Sequence, residues 1–422
     1  MERYFFTIAF LLVATGTWAQ AYTWPKAAPA TVGMSEARLS RLDRMLENAV
    51  KENQIPGAVA LIARKGKLVY LKSLGHSNDS GEPLKTSDIF RMASQTKAVT
   101  ATAVMMLWEE GHFSLDDPIS KWIPEFQNPG ILDSLYVDGS YTTSPANKEI
   151  TIRHLITHTS GMGYGVIDAD ERFGRMYQGA GATELFTTED ITIKESVEKM
   201  ASLPLHHHPG DKFTYSVGLD VLGYFIEIIS GMPLDDFFRT RIFEPLGMED
   251  THFYLPENKT SRLVQVQTKE NGQWKPLDGG FYDVDYPKKG AQTFFSGGAG
   301  LSGTAEDYAK FLQMYLNMGE FNGKRILSRK TVELIMANQF EHLWPNDGKF
   351  YGLAFSIVNE EGKSIGGLGS EGTFDWGGYF NTKYFADPSE GLIGILMKQT
   401  YDIGPDPTTE KFMRLVFQAI DD

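Results

Sequence analysis

The sequence predicts a mixed α/β fold of the α+β type. One antiparallel sheet is built from both chain ends and flanked by helices, with a mostly helical region inserted between. Three observations carry this. Strand-like runs near both ends are joined by tight-turn residues, and hairpins make antiparallel sheet. Strand-helix-strand units, the mark of a parallel sheet, are missing. The long middle shows apolar residues at helical spacing, separated by loops.

Taken in order, the first segment reads as an export signal. Met1-Glu2-Arg3 is short and carries one positive side chain, and residues 4–14 are almost wholly apolar. Ala19-Gln20-Ala21 supplies a small-x-small cleavage pattern. The apolar run is shorter than the roughly 20 residues of a membrane span. The expectation is a signal over residues 1–21 and a periplasmic or secreted mature chain over 22–422, with no membrane span. Ser35 then caps a helix carrying Leu39, Leu42, Leu46, Ala49 and Val50, which Pro56-Gly57 ends. Residues 58–63 and 68–71 form a hairpin around Lys65-Gly66-Lys67.

A long apolar run follows Ser94, from Ala98 to Trp108, and reads as a helix buried on most sides. Residues 161–192 are rich in Gly and polar residues and only weakly periodic, which predicts a long loop. A helix after Tyr215-Ser216 carries Leu219, Leu222, Ile226 and Ile229 and stops at Gly231. Thr304, with Asp307 three residues on, opens another that shows Tyr308, Phe311, Leu312, Tyr315 and Leu316 on one face. Strand-like residues 378–386 and 392–398 flank the turn Asp387-Pro388-Ser389-Glu390-Gly391. A last helix from about Thr409 presents Phe412, Leu415, Val416 and Ile420. These elements divide 22–422 into a sheet lobe, about 35–92 and 290–422, and a helical lobe, about 93–289.

Composition narrows the function. The chain has 422 residues, 42% hydrophobic and 22% charged, with a net charge of −14, all ordinary for a globular protein. The sequence shows no basic cluster, which argues against a nucleic-acid partner. It has no cysteine, which excludes disulfides, thiolate metal sites and a cysteine nucleophile.

Ser94-Gln95-Thr96-Lys97 is the strongest chemical signal. Residues three apart share a helix face, so a lysine amine lies over the serine hydroxyl. That hydroxyl is a weak nucleophile until a neighbouring base takes its proton. Lysine serves as the base when it is desolvated, and the apolar helix supplies the desolvation. Tyr215, at a loop-to-helix junction, reads either as a packing residue or as a proton relay. Trp376-Gly377-Gly378-Tyr379 begins or precedes a strand, and its glycines permit close backbone approach to a ligand.

Three further patterns carry less. Gly298-x-Gly300-x-x-Gly303, with Glu320 downstream, matches a dinucleotide fingerprint, but without a surrounding βαβ unit. It reads instead as a loop feeding the Thr304 helix. His206-His207-His208 invites a metal, but consecutive side chains diverge and a third ligand is lacking. It reads as an exposed loop before Pro209. His158 lacks the glycine-flanked serine elbow of a Ser-His-Asp triad. No cofactor and no metal are therefore expected.

Ser94-Gln95-Thr96-Lys97, Tyr215-Ser216-Val217 and Trp376-Gly377-Gly378 stand in the order of the three motifs of serine β-lactamases and penicillin-binding proteins. Gly57-Ala58-Val59-Ala60, Leu115-Asp116-Asp117-Pro118-Ile119, the stretch 152–161 and Gly298-Ala299-Gly300-Leu301 extend the likeness from Ser35 to the C-terminus. The chain resembles the class C β-lactamase-related group, and within it the carboxylesterases of the β-lactamase fold. The resemblance implies Ser94 as the acylated nucleophile, Lys97 as its base and Tyr215 as proton shuttle. It implies an oxyanion hole from the backbone N–H groups of Ser94 and Tyr379, and a structural His158. Trp376, Gly377, Gly378 and Val217 would line the substrate.

Two departures matter. Val217 stands where class C enzymes carry an asparagine. Trp376 stands where a lysine attracts the substrate carboxylate. Both favour small neutral acyl esters over β-lactams or D-amino-acid peptides, which are the alternative among ester and amide substrates. A remoter alternative is a non-catalytic module that binds cell wall or protein.

Overall fold

The computed structural model describes residues 24–280, 282–341 and 347–422; the expected export signal lies outside the described residues. Ser35 Oγ accepts the Arg38 N–H and starts α1 (Glu36–Lys51). Strands β1 (Gly57–Arg64) and β2 (Lys67–Gly75) follow as a hairpin. Lys65 and Gly66 both take positive φ, 51° and 74°, the two-residue turn that matches strand twist. The central helix α2 (Thr96–Glu109) is buried from Thr96 to Leu107, as its unbroken apolar run predicts. Helix α3 (Gly218–Ser230) packs on it and ends at Gly231, left-handed at φ 69°. Thr304 Oγ1 accepts the Asp307 N–H and opens α4 (Ala305–Leu316).

The remaining sheet strands come from the C-terminal part. They are β3 (Phe340–Glu341), β4 (Lys349–Tyr351), β5 (Ser356–Val358), β6 (Phe374–Gly378), β7 (Thr382–Asp387) and β8 (Leu392–Met397). Helix α5 (Thr408–Gln418) closes the fold. The eight strands pair antiparallel in the order β3-β4-β5-β6-β7-β8-β1-β2. The two chain ends thus meet in mid-sheet, where Val59 pairs with Met397.

Strand β1 is buried along its whole length because both its faces are covered. Val59, Leu61 and Ala63 join the large core, with α4 residues Tyr308, Phe311 and Leu312. Ala58, Ala60 and Ile62 alternate to the other face, under α1 and α5, against Leu42, Leu46, Phe412 and Val416.

The structure corrects three expectations. The run 378–386 is not one strand: β6 ends at Gly378 and β7 begins at Thr382. Asn381 turns left-handed at φ 64° and donates its N–H to Gly378 O at 3.0 Å, so Tyr379 lies in the hairpin turn. The stretch 161–192 is not simply a loop. It holds a helix, Glu171–Ala180, capped by Asp170 and ended by Gly181 at φ 62°, with Phe173, Met176 and Tyr177 buried. The middle of the chain also contains two small hairpins, Gly130–Leu135 with Tyr141–Pro145 and Gln267–Glu270 with Gln273–Pro276. Among the described residues no helix is long and apolar enough to cross a membrane.

Candidate active site

The chain enters the site through a two-residue strand, Phe90–Arg91, paired with Ser302–Gly303. Ala93 then adopts φ 45°, a left-handed conformation that non-glycine residues rarely take. This kink puts Ser94 in the 3₁₀ turn Ala93–Gln95, immediately before α2. Lys97 lies one turn on and is 2% exposed. Its Nζ donates to Gly298 O at 2.8 Å and lies 3.4 Å from Ser94 Oγ.

The segment 296–301 is bound along α2. Thr100 Oγ1 donates to Gly297 O at 2.6 Å, and Leu301 N donates to Thr96 Oγ1 at 3.0 Å. A Cβ on Gly297 would meet Leu219 O at 2.4 Å, so α3 tolerates only glycine there. The nucleotide-like glycine pattern is therefore a wall of this cleft. Its downstream Glu320 sits in a separate small hairpin, paired with Arg325.

Tyr215 lies just before α3, with its ring 4.7 Å from Lys97 Nζ. Its hydroxyl is buried without a hydrogen-bond partner among the described residues. Sequence reasoning missed a second tyrosine. Tyr164 has its ring 5.4 Å from the same amine and 5.6 Å from the Tyr215 ring. Its hydroxyl is likewise unpartnered among the described residues, and burial pushes it well above the usual phenol range. The Gly161-Met162-Gly163-Tyr164 run after His158-Thr159-Ser160 was the only local hint.

His158 is fully buried. The Ser216 N–H donates to its Nδ1 at 3.2 Å, and its ring packs 4.7 Å from Tyr215. Burial first, then the charge of Lys97, hold it well below the usual histidine range, so it stays neutral. It braces the Tyr215-Ser216 segment, and Ser216 occupies the nitrogen that a triad would aim elsewhere.

The three consecutive histidines diverge, but they are not the exposed loop the sequence suggests. His206 Nε2 is 2.9 Å from Asp168 Oδ2, with its ring stacked on Phe173. His207 Nε2 is 2.8 Å from Thr214 Oγ1, and His208 Nδ1 accepts the Asn147 N–H. Among the described residues no three His, Asp or Glu side chains gather as a metal site.

Trp376 stands on β6 with its ring 5.7 Å from both Tyr215 and Tyr351. A Cβ on Gly378 would meet Met92 O at 2.4 Å, so only glycine lets β6 close on the chain entering Ser94. Gly377 is less demanding, its Cβ position 3.1 Å from Thr382 O. Tyr379 follows in the turn, its ring 5.2 Å from Tyr401. Val217, expected to face a substrate, is fully buried in the large core and offers it no surface. Two lysines of the same sheet are occupied. Asp375 binds Lys349 at 2.6 Å and Lys383 at 3.3 Å. Burial would raise this carboxyl, yet the two amines hold it below its usual range. By strand alternation Asp375 and Lys383 project from the sheet face opposite Trp376.

Comparison with known proteins agrees with this architecture. The beta-lactamase family model matches residues 42–417. The chain is 30% identical over 392 residues to esterase EstB of Burkholderia gladioli, covering 88% of this chain and 93% of that one. It is 34% identical over 364 residues to protein Rv1367c of Mycobacterium tuberculosis, covering 82% and 86%. The solved structure of EstCE1, a hydrolase with promiscuous acyltransferase activity, has a TM-score of 0.77 and 25% identity, covering 90% of this chain and 99% of that one. These matches run through the sheet and the helices over it, and on them the chain belongs to the beta-lactamase family, as a serine hydrolase built on its fold.

Proposed function

We propose that the chain is an exported carboxylesterase that cleaves small neutral acyl esters through an acyl-enzyme on Ser94. Ser94 Oγ attacks the ester carbonyl carbon while its proton passes to the Lys97 and Tyr215 pair. The carbonyl electrons move onto oxygen, held by the N–H groups of Ser94 and Tyr379. Collapse breaks the ester C–O bond, and Tyr215 returns the proton to the departing alkoxide. Water then repeats the sequence and frees Ser94.

One observation carries the preference for esters. Trp376 faces Tyr215 at 5.7 Å where a cation for a substrate carboxylate would stand. Lys383 of the neighbouring strand β7 is drawn to Asp375 instead. The likeness to an esterase over most of both chains supports the same reading. Export rests on the N-terminal pattern and is checked by N-terminal sequencing of the mature protein.

A charge-assisted hydrogen bond to a carboxylate contributes about 1.5–3 kcal/mol. Its loss predicts a kcat/KM for short neutral esters at least about 100-fold above that for penicillins. Trp376→Ala should weaken ester turnover more than residual β-lactam turnover. Equal or better turnover of penicillin or a D-Ala-D-Ala peptide would instead make the chain a β-lactamase or D-amino-acid peptidase. Failure of a fluorophosphonate to label Ser94 would leave a binding module.

A further inference from the structure

Asp220 is a buried acid that this reaction scheme does not use. It lies in the first turn of α3, five residues after Tyr215, and is 1% exposed. Its Oδ1 accepts the Ser296 hydroxyl at 2.6 Å and the Gly298 N–H at 3.0 Å. Gly298 is the residue whose carbonyl receives Lys97 Nζ at 2.8 Å. One residue thus joins the two charges, its N–H bound to the carboxylate and its C=O to the amine. Ala299 N on Ser296 Oγ and Thr100 Oγ1 on Gly297 O fix the same loop from either side.

The second oxygen is the telling one. Asp220 Oδ2 is buried with no hydrogen-bond partner among the described residues. A Cβ on Gly298 would lie 2.6 Å from it, so the loop rests directly against this oxygen. Hydrogen bonding alone does not require a charge here, because an asparagine oxygen would accept the same two donors. A buried carboxylate is costly unless a cation answers it. Burial pushes Asp220 upward; the Ser296 hydroxyl opposes this most, and Lys97 is the cation that adds to that opposition.

The surroundings hold few other charges. Lys97 is faced by the Tyr215 and Tyr164 rings and by neutral His158. Asp220 acts in turn on Tyr164 and on Glu184, a carboxyl that accepts the Gly165 and Val166 N–H groups.

We propose that Asp220 is a positioning residue for Lys97: it fixes the Gly298 carbonyl that aims the amine at Ser94, and its charge is the counter-ion to that amine across the Gly298 peptide. The inference rests on the reading of Ser94 and Lys97 as nucleophile and base. It adds a carboxylate to that pair which neither touches the substrate nor takes a proton from it.

The test is the pH dependence of fluorophosphonate labelling of Ser94, which needs no knowledge of the substrate. Removing a negative neighbour makes an amine release its proton more readily. Asp220→Asn keeps an acceptor for both donors and loses the charge. Its acid limb should move down by about one pH unit in protein that still folds. Asp220→Ala also loses the clamp and should label about 10-fold more slowly at every pH. Ser296→Ala removes the hydrogen bond that most favours the charged form of Asp220. Its limb should move the same way as that of Asp220→Asn, down, by about a few tenths of a unit.

An Asp220→Asn limb that coincides with wild type in folded protein overturns the inference and leaves Ser94 and Lys97 in their roles. If Asp220→Asn does not fold, an unmoved or raised limb in Ser296→Ala overturns it. Wild-type protein that does not label at Ser94 removes the reading beneath, and the inference with it.

Discussion

Lys97 and Lys398 are buried almost equally, at 2% and 1% exposed, yet they are furnished in opposite ways. Lys398 directly follows β8. Its amine donates to the Asp406 carboxylate, to Thr408 Oγ1 at 2.9 Å and to Thr409 Oγ1 at 3.0 Å. All three donors of the ammonium are used. Burial pushes the amine down, and Asp406 answers it. Burial alone would raise Asp406, yet Lys398 holds it below its usual range. Lys97 has one firm hydrogen bond, to Gly298 O, and a long one to Ser94. Two aromatic rings cover other sides of it. A saturated buried lysine is a knot in the fold. An unsaturated one keeps a donor position open for a reacting atom, and the fold around it must tolerate that.

The strongest way to break this comparison is to remove each amine's function separately. Lys97→Ala should lower kcat/KM on a neutral ester by about 10⁴-fold. It should still fold, because Asp220, already pushed up by burial, can take up a proton once its cation is gone. Stopped-flow kinetics with calorimetry on the same sample decides between a chemical and a structural lysine. Asp406→Ala should do the reverse. It strands Lys398 without its carboxylate and should lower the unfolding free energy by about 3–5 kcal/mol. Urea titration reads that loss, while activity per folded molecule should stay within about twofold of wild type.

Glu184 stands between the two cases and sharpens the comparison with a smaller effect. Its carboxylate accepts the Gly165 N–H at 2.6 Å and the Val166 N–H at 3.0 Å, with no cation bound to it among the described residues. Burial, opposed by these hydrogen bonds, pushes it from 4.5 up to about 7. Between those values the folded chain holds a proton that the unfolded chain releases. Stability therefore falls as pH rises through that window, by at most about 3 kcal/mol. Denaturation of Glu184→Gln should lack this part of the slope. An identical pH profile in both proteins would show that Glu184 titrates normally.

What could be read from the sequence was what lies close together in it. Ser94 and Lys97 share a helix face at three residues' separation. Tyr215 and Trp376 each sit in a short, distinctive run. The hairpin over 57–75 and the capped helices followed from alternation, Lys65-Gly66 and Ser35 or Thr304. Tyr164 and Asp220 were missed because their roles arise from distant contacts. Asp220 reaches Gly298 78 positions away, and no spacing rule records that. Tyr379 was read inside a strand because Tyr and Phe favour strands, whereas Asn381's left-handed turn decided the local structure. The hairpin over 130–145 escaped because its second strand is exposed throughout and so carries no inside-outside alternation. The helix Glu171–Ala180 was obscured by Gly174 and Gly179, although Phe173, Met176 and Tyr177 already marked a face.

The pairing of β1 with β8 also sets how much of the chain must be present before the site is enclosed. Val59 and its partner Met397 lie far apart in the sequence, and the chain between them must be made before they can pair. The first hairpin therefore keeps one edge unpaired until residues 392–397 are available. β6, which brings Trp376 toward Tyr215 and closes on Met92, belongs to the same late stretch. A nascent or C-terminally clipped chain carries Ser94 and Lys97 without the wall that faces them. Its serine is an ordinary serine. With Ser94 early in the sequence and its enclosure late, cleavage anywhere between them should cost fluorophosphonate labelling as well as stability.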